Sequence, residues 1–193
     1  MTTDLLKQER RKYNRMFDYP GYRTWTGPER ITSFVKHCLG NGPKKVIDFG
    51  CGTGINALLL HKAGHDVWMV DIVDNSLLPD ARSVLGHRLI IAPLHRMPKE
   101  LPDADFGFCG DVMEHLPEEW VSKSLAAIKK KVPVCFFLIC GIADVWGAKI
   151  NERLHLTVKP REWWRAEIKK HWTEVNDIAG DNPNVFCFIA GRA

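Results

Sequence analysis

The sequence predicts an α/β fold: a doubly wound, seven-stranded, mainly parallel sheet with an antiparallel last strand pair and helices on both faces. Three observations predict it. Short continuous apolar runs alternate with helix-like segments, the pattern of strands buried on both faces. The first such run ends in a glycine-rich turn from which a helix starts at once. The last two runs are joined by polar residues 176–184, too few for a crossover helix, so those strands run antiparallel. A length of 193 residues fits one domain, 1–193, with 1–43 as an N-terminal helical cap and 44–193 as the core.

The elements follow in order. Residues 5–17 and 28–39 read as helices, separated by the aromatic, turn-rich stretch 18–27. Lys45-Val-Ile-Asp-Phe49 is the first strand, and 55–63 a helix closed by Gly64 as a C-terminal cap. Val67-Trp-Met-Val70, 88–92 and 105–109 are the second to fourth strands. Pro117 opens a helix through Trp120, Leu125 and Ile128, whose last turn carries Lys129-Lys130-Lys131 at the negative end of the helix dipole. Residues 133–139 are the fifth strand and 161–171 a helix. Residues 172–175 and 185–189 are the sixth and seventh strands. Trp163 and Trp164, adjacent on that helix, cannot share a face, so one belongs to the core.

The bulk composition is that of a globular protein, 45% hydrophobic and 26% charged. The longest apolar run, 132–142, is broken by Pro133 and is about half the length that crosses a membrane. The N-terminus carries charges where a signal peptide needs an apolar stretch, so no membrane association and a cytoplasmic location are expected. The 6 cysteines contain no C-x-x-C pair and read as free thiols. Neither they nor the 8 histidines show metal-ligand spacing, so no metal site is read. The formal charge is +4, and the basic clusters at 7–15 and 129–131 read as solvated helix faces. Nucleic-acid contact is the competing reading, and the oligomeric state is left open.

The chemistry concentrates in Val46-Ile-Asp-Phe-Gly-Cys-Gly-Thr-Gly-Ile55. Gly50, Gly52 and Gly54 let the backbone approach a ligand closely, and the helix start offers unpaired N–H groups. A dinucleotide fingerprint would need glycine at position 55, where Ile55 stands, and no Gly-Lys-Ser/Thr follows to make a P-loop. Asp48 adds a negative charge that a pyrophosphate would oppose and a cationic amino group would favour. Asp71 ends the second strand about 20 residues on, the place for a carboxylate that accepts two ribose hydroxyls. As a strand-tip side chain it reads as contributing little to packing.

Together, Val-Ile-Asp-Phe-Gly-Cys-Gly-Thr-Gly and Val-Trp-Met-Val-Asp resemble the first two cofactor motifs of the class I, Rossmann-like S-adenosylmethionine (SAM)-dependent methyltransferases. The segment Gly110-Asp-Val-Met-Glu-His-Leu-Pro117 is similar to the D-V-x-E-H-x-P stretch of that family's small-molecule branch. The resemblance spans residues 44–192. It implies SAM as cofactor and S-adenosylhomocysteine as product. Asp48, Gly50, Cys51 and Gly52, with Gly54, would hold the methionine end. Asp71 would take the ribose and Ile72 the adenine. Gly110 and Asp111 would pass beneath the methionine, and His115 would face the methyl group or its acceptor. Two departures stand out. No acidic residue follows the third strand, so the adenine falls to backbone groups near Leu94 or His95. Few residues separate Asp71 from the third strand, so the helix between them is short or absent.

His115 has two readings, a base that takes the acceptor's proton and a helix-start residue bonded to backbone or to Glu114. Asp111 and Glu114 likewise read as carboxylates at a helix N-terminus. Tyr13 and Phe17, four apart on a helix, read as packing. Tyr22 and Trp25 are placed over the cofactor as acceptor-binding residues, with Trp146 and His155 as the opposite wall. The segment lacks the Asn/Asp-Pro-Pro-Tyr/Phe motif of nucleobase amino methyltransferases, and the chain has no Pro-Cys. The expected acceptor is therefore an O or N atom of a small molecule. The alternatives are a methyltransferase acting on RNA, DNA or protein, and a SAM-binding protein without transferase activity.

Overall fold

Val46, Ile47 and Phe49 are each 0% exposed because the strand that they form has a strand on either side and helices on both faces. In a computed structural model, which describes residues 2–24, 29–179 and 182–192, seven strands form one sheet. They are β1 (Lys45–Phe49), β2 (Asp66–Asp71), β3 (Leu89–Ile91), β4 (Phe106–Gly110), β5 (Val134–Cys140), β6 (Val175–Ile178) and β7 (Val185–Ala190), in the order β3-β2-β1-β4-β5-β7-β6. The first five pair in parallel, and β7 runs antiparallel to both β5 and β6.

Alternate residues of β1 serve opposite faces. Ile47 and Phe49 join a core with Val121, Leu125 and Ile128 of α5 (Glu118–Lys131) and Trp164 and Ile168 of α6 (Arg161–Lys169). Val46 joins the other core, with Phe34 of α2 (Glu29–Phe34), Ala57 and Leu60 of α3 (Ile55–Lys62) and Leu85 of α4 (Pro79–Leu85). Burying one branched or aromatic side chain on this scale is worth about 1.5–3 kcal/mol, so a strand apolar on both faces is most stable at this central position. The winding reverses between β1 and β4, which opens a crevice at the carboxyl ends of those two strands. Among the described residues no helix is long and apolar enough to cross a membrane.

The helix α1 (Thr2–Asp18) does not join either sheet core. Met16 packs with Ile150 and Leu154, and Tyr13 and Tyr22 lie against that group. The cap therefore covers the loop after β5, at the sheet's carboxyl edge. Arg23 fixes it there, donating from Nε to Phe17 O at 2.8 Å and from an Nη to Asn75 O at 2.6 Å.

Two elements differ from the sequence reading. The sixth strand begins at Val175 rather than at residue 172. Trp172 is buried and donates its indole N–H to Pro133 O at 3.0 Å, so this apolar residue plugs the core beneath β5. The true strand is an edge, with Asp177 facing outward to pair with Arg165 at 3.1 Å. Glu114 lies in a short 3-10 turn, Met113–His115, ahead of α5, and Asp111 precedes that turn. Other calls match. Trp164 is the core member of its pair, α4 is short, and all 6 cysteines are free.

Candidate active site

A cavity of about 230 Å³ lies at the switch point, bounded by the turn after β1, the end of β2, the turn after β4, the loop after β5 and α1. The turn after β1 is held from two sides. Gly50 and Cys51 both donate to Val70 O, at 2.7 and 3.1 Å. Gly52 N–H donates to Asp71 Oδ2 at 2.9 Å, while Val73 N–H reaches Asp71 Oδ1 at 3.2 Å. Asp71 is thus a brace of the glycine turn as well as a cavity wall, a packing role that its strand-tip position alone does not reveal.

Asp48, Gly50, Cys51, Gly52, Asp71 and Ile72 line the cavity on this side, and Leu94, Gly110 and Asp111 continue it. Gly54 does not. It is the residue from which α3 starts, and a Cβ there would lie 2.8 Å from Leu77 and 2.9 Å from Ala81. Its lack of a side chain lets α4 pack closely against the turn. Across the cavity stand His115, His155, Tyr22 and Trp146. Tyr22 meets Trp146 edge-on with ring centroids 5.7 Å apart, so the two stand side by side rather than on opposite walls. Trp25 lies outside the described residues.

Tyr13 and Phe17, read from sequence as packing residues, line the cavity too. The Tyr13 hydroxyl lies 2.8 Å from His115 Nδ1, which is also 3.2 Å from Leu154 O. Pairing at i and i+4 on one helix cannot tell packing from cavity lining, because only the docking of α1 decides what that face meets. Glu114 is fully buried. Its Oε1 accepts Cys140 N–H at 2.8 Å, and its carbonyl oxygen accepts Leu156 and Thr157 N–H at 2.8 and 2.9 Å. It stitches β4's turn to the loop after β5. In that loop Asp144 accepts N–H bonds from Gly147, Leu154 and His155 at 2.6–3.2 Å. Burial works against its charge, but these bonds hold its carboxyl below the ordinary value.

The electrostatics divide the cavity. Burial, then the charge of Asp71, pushes Asp48 up to about 7, against one N–H bond from Ala57. Asp48 Oδ2 has no hydrogen-bond partner among the described residues. A buried carboxylate with an unpaired oxygen beside a second carboxylate is a place for a cationic group, and that fits the ammonium of an amino-acid-like ligand. Burial and the two carboxylates push the Cys51 thiol well up, which makes it a neutral wall and no nucleophile. Burial, then His155, lowers His115 to about 3, so its imidazole is neutral at physiological pH.

These values predict a pH dependence. The folded chain favours protonated Asp48, whose ordinary value is about 3.9, so ionising it in place costs on the order of 4 kcal/mol. Its contribution to stability is fully present below about pH 4 and is lost as pH rises to about 7. A cationic ligand selects the ionised form. Its affinity should therefore rise by up to about tenfold per pH unit below 7 and level off above, and Asp48→Asn should flatten the profile. Calorimetry from pH 5.5 to 8.5 checks this, and a flat wild-type profile would refute it.

Comparison with known proteins bears on the family and the fold. Residues 22–139, more than half of the chain, match the family model described as a methyltransferase domain. A ubiquinone biosynthesis O-methyltransferase of Hydrogenovibrio crunogenus is 31% identical over 97 residues, which cover 47% of this chain and 39% of that relative's length. The fold is shared with a SAM-dependent methyltransferase from Archaeoglobus fulgidus (TM-score 0.68, 15% identity, 93% of this chain and 99% of that one). It is also shared with the 1,6-didemethyltoxoflavin-N1-methyltransferase of Burkholderia thailandensis, solved with its substrate and S-adenosylhomocysteine (TM-score 0.65, 18% identity, 94% and 84%).

Proposed function

The chain belongs to the methyltransferase-domain family, and on that premise we propose that it transfers a methyl group from SAM to an oxygen or nitrogen atom of a small molecule. The observation that carries the reading is the continuity of one cavity, from the Asp48–Asp71 carboxylates at one end to His115 and His155 under the aromatic cap at the other. The relatives' names fit an O- or N-acceptor, since one is an O-methyltransferase and the other an N1-methyltransferase.

SAM supplies a methyl group already activated on a sulfonium, so the protein's work is alignment and charge placement. In this reading Asp48 receives the amino group through its unpaired oxygen. Asp71 accepts ribose hydroxyls while still bracing Gly52. Ile72 and Leu94 cover the adenine on its apolar faces, and the Gly110–Asp111 backbone underlies the methionine. Tyr13, Phe17, Tyr22 and Trp146 line the reacting end, and an aromatic face near the sulfonium contributes up to about 2 kcal/mol. These side chains come from α1, the turn after it and the loop after β5, which together cap that end of the cavity. A cap of this kind favours a small acceptor over an RNA or a protein.

The experiment combines calorimetry with methyl transfer from labelled SAM. SAM and S-adenosylhomocysteine should bind and NAD should not. Label should pass to small phenols, hydroxy acids or amines rather than to RNA. Deleting residues 1–27 should reduce transfer far more than it weakens SAM binding. Binding of NAD without SAM would end the reading, and label entering RNA or protein would redirect it to a macromolecular acceptor.

A further inference from the structure

One donor atom from each of Glu114, His115 and His155 lies within 4.8 Å of the others. We propose that these three side chains bind a divalent transition-metal ion, of the Zn²⁺ or Mn²⁺ kind, at the acceptor end of the cavity. Glu114 is fully buried and oriented by the Cys140 N–H on its Oε1. His155 is 9% exposed and its Nδ1–H donates to Ile142 O at 2.5 Å. His115 Nδ1 lies 2.8 Å from the Tyr13 hydroxyl and 3.2 Å from Leu154 O. An imidazole whose Nδ1–H is tied to a backbone carbonyl presents Nε2 as an acceptor, the arrangement that orients metal-binding histidines.

The two rings meet edge-on, centroids 4.6 Å apart at 87°, beside the carboxylate. Two imidazoles and a buried carboxylate thus stand at one locus, a donor set that suits a cation. Ligands at about 2.0–2.2 Å from one ion lie roughly 3–4 Å from each other, so side-chain rotation closes the set. Two nitrogens and one oxygen suit Zn²⁺ or Mn²⁺ rather than Mg²⁺ or Ca²⁺, which prefer oxygen throughout. His115 and His155 both line the cavity, so a three-ligand site keeps a position open toward the acceptor.

This inference rests on the methyl-transfer reading for its chemistry and narrows the acceptor to a hydroxyl. Polarised at the open position, the hydroxyl releases its proton to water. Its oxygen then bonds to the methyl carbon as the S–C bond breaks and the electron pair leaves with the sulfur as a neutral thioether.

The test uses the full chain, stripped with chelator and titrated with Mn²⁺ followed by electron paramagnetic resonance and with Zn²⁺ by calorimetry, without cofactor or acceptor. One ion should bind per chain. His155→Gln and Glu114→Gln should each weaken it by about a hundredfold, with SAM affinity unchanged. Gln at 114 keeps an acceptor for Cys140 N–H; should that variant not fold by circular dichroism, His155→Gln decides alone. A wild-type chain that takes up no ion, or a His155→Gln chain that binds as tightly as wild type, overturns the site. Because no SAM is present, that failure is distinct from failure of the functional reading, which would show as absent SAM binding.

Discussion

Replacing Gly50 by valine is expected to abolish cofactor binding and to lower the melting temperature by several degrees. Gly50 has φ +73°, and a Cβ there would stand 2.4 Å from Val112 Cγ2. The left-handed backbone costs a residue with a side chain about 1–2 kcal/mol, and crowding Val112 costs about 1–3 kcal/mol more. Val112 belongs to the turn after β4, so relief of the clash pushes apart the two turns that make the crevice. Binding should fall by at least about a hundredfold, or about 2.7 kcal/mol. The control is Gly52→Ala. Gly52 has φ +50°, but among the described residues its added Cβ meets only Phe17 Cζ, at 3.7 Å. That variant should pay the backbone strain alone and bind measurably. Thermal melts with calorimetry read both, and a Gly50→Val chain that melts and binds like wild type would show that the turn tolerates displacement.

Removing the carboxylate of Asp71 is expected to cost both stability and affinity. The side chain is 9% exposed and accepts the N–H groups of Gly52 and Val73. Asp71→Ala leaves both donors without their acceptor, at about 1–3 kcal/mol for each that water cannot reach. On the proposed reading the ribose hydroxyls lose their acceptors as well, about 1.5–3 kcal/mol for bonds to a charged group. Asp71→Asn keeps an oxygen for only one of the two N–H groups and turns its NH2 toward the other, so it should recover at most about half of the lost stability and little of the affinity. The separation between the two variants is the decisive result. If alanine at 71 melts like wild type, the brace contributes nothing. If asparagine restores binding as well as stability, the charge has no part in holding the cofactor.

The cofactor half of the candidate site was legible in the sequence because its parts are local. Asp48 lies near the end of β1, Gly50 and Gly52 in the turn that follows it, and Asp71 ends the adjacent strand, so the pairing of β1 with β2 brings them together. Gly54 shows the limit of that logic. Three glycines in one motif read alike, yet this one makes room for Leu77 and Ala81 of the neighbouring α4 region and leaves the cavity to the others. The acceptor half was legible only as a position. His115, His155, Tyr22 and Trp146 do converge on one cavity, but the Tyr13 hydroxyl on His115 joins residues 102 positions apart. No periodicity in α1 carries that contact.

By itself the sequence determined seven strands in a mainly parallel sheet, the antiparallel last pair and a ligand-binding turn at the carboxyl end of the first strand. Those follow from hydrophobic runs and short connections, which act over a few residues. Only the tertiary structure decided what lies across the crevice: that α1 docks on the loop after β5, that Trp172 fills the core instead of extending β6, and that Glu114 meets two histidines. These depend on which buried surfaces fit together across long separations. Such contacts gain their free energy from the shape and desolvation of already formed elements, and nothing in the local pattern of residues records them.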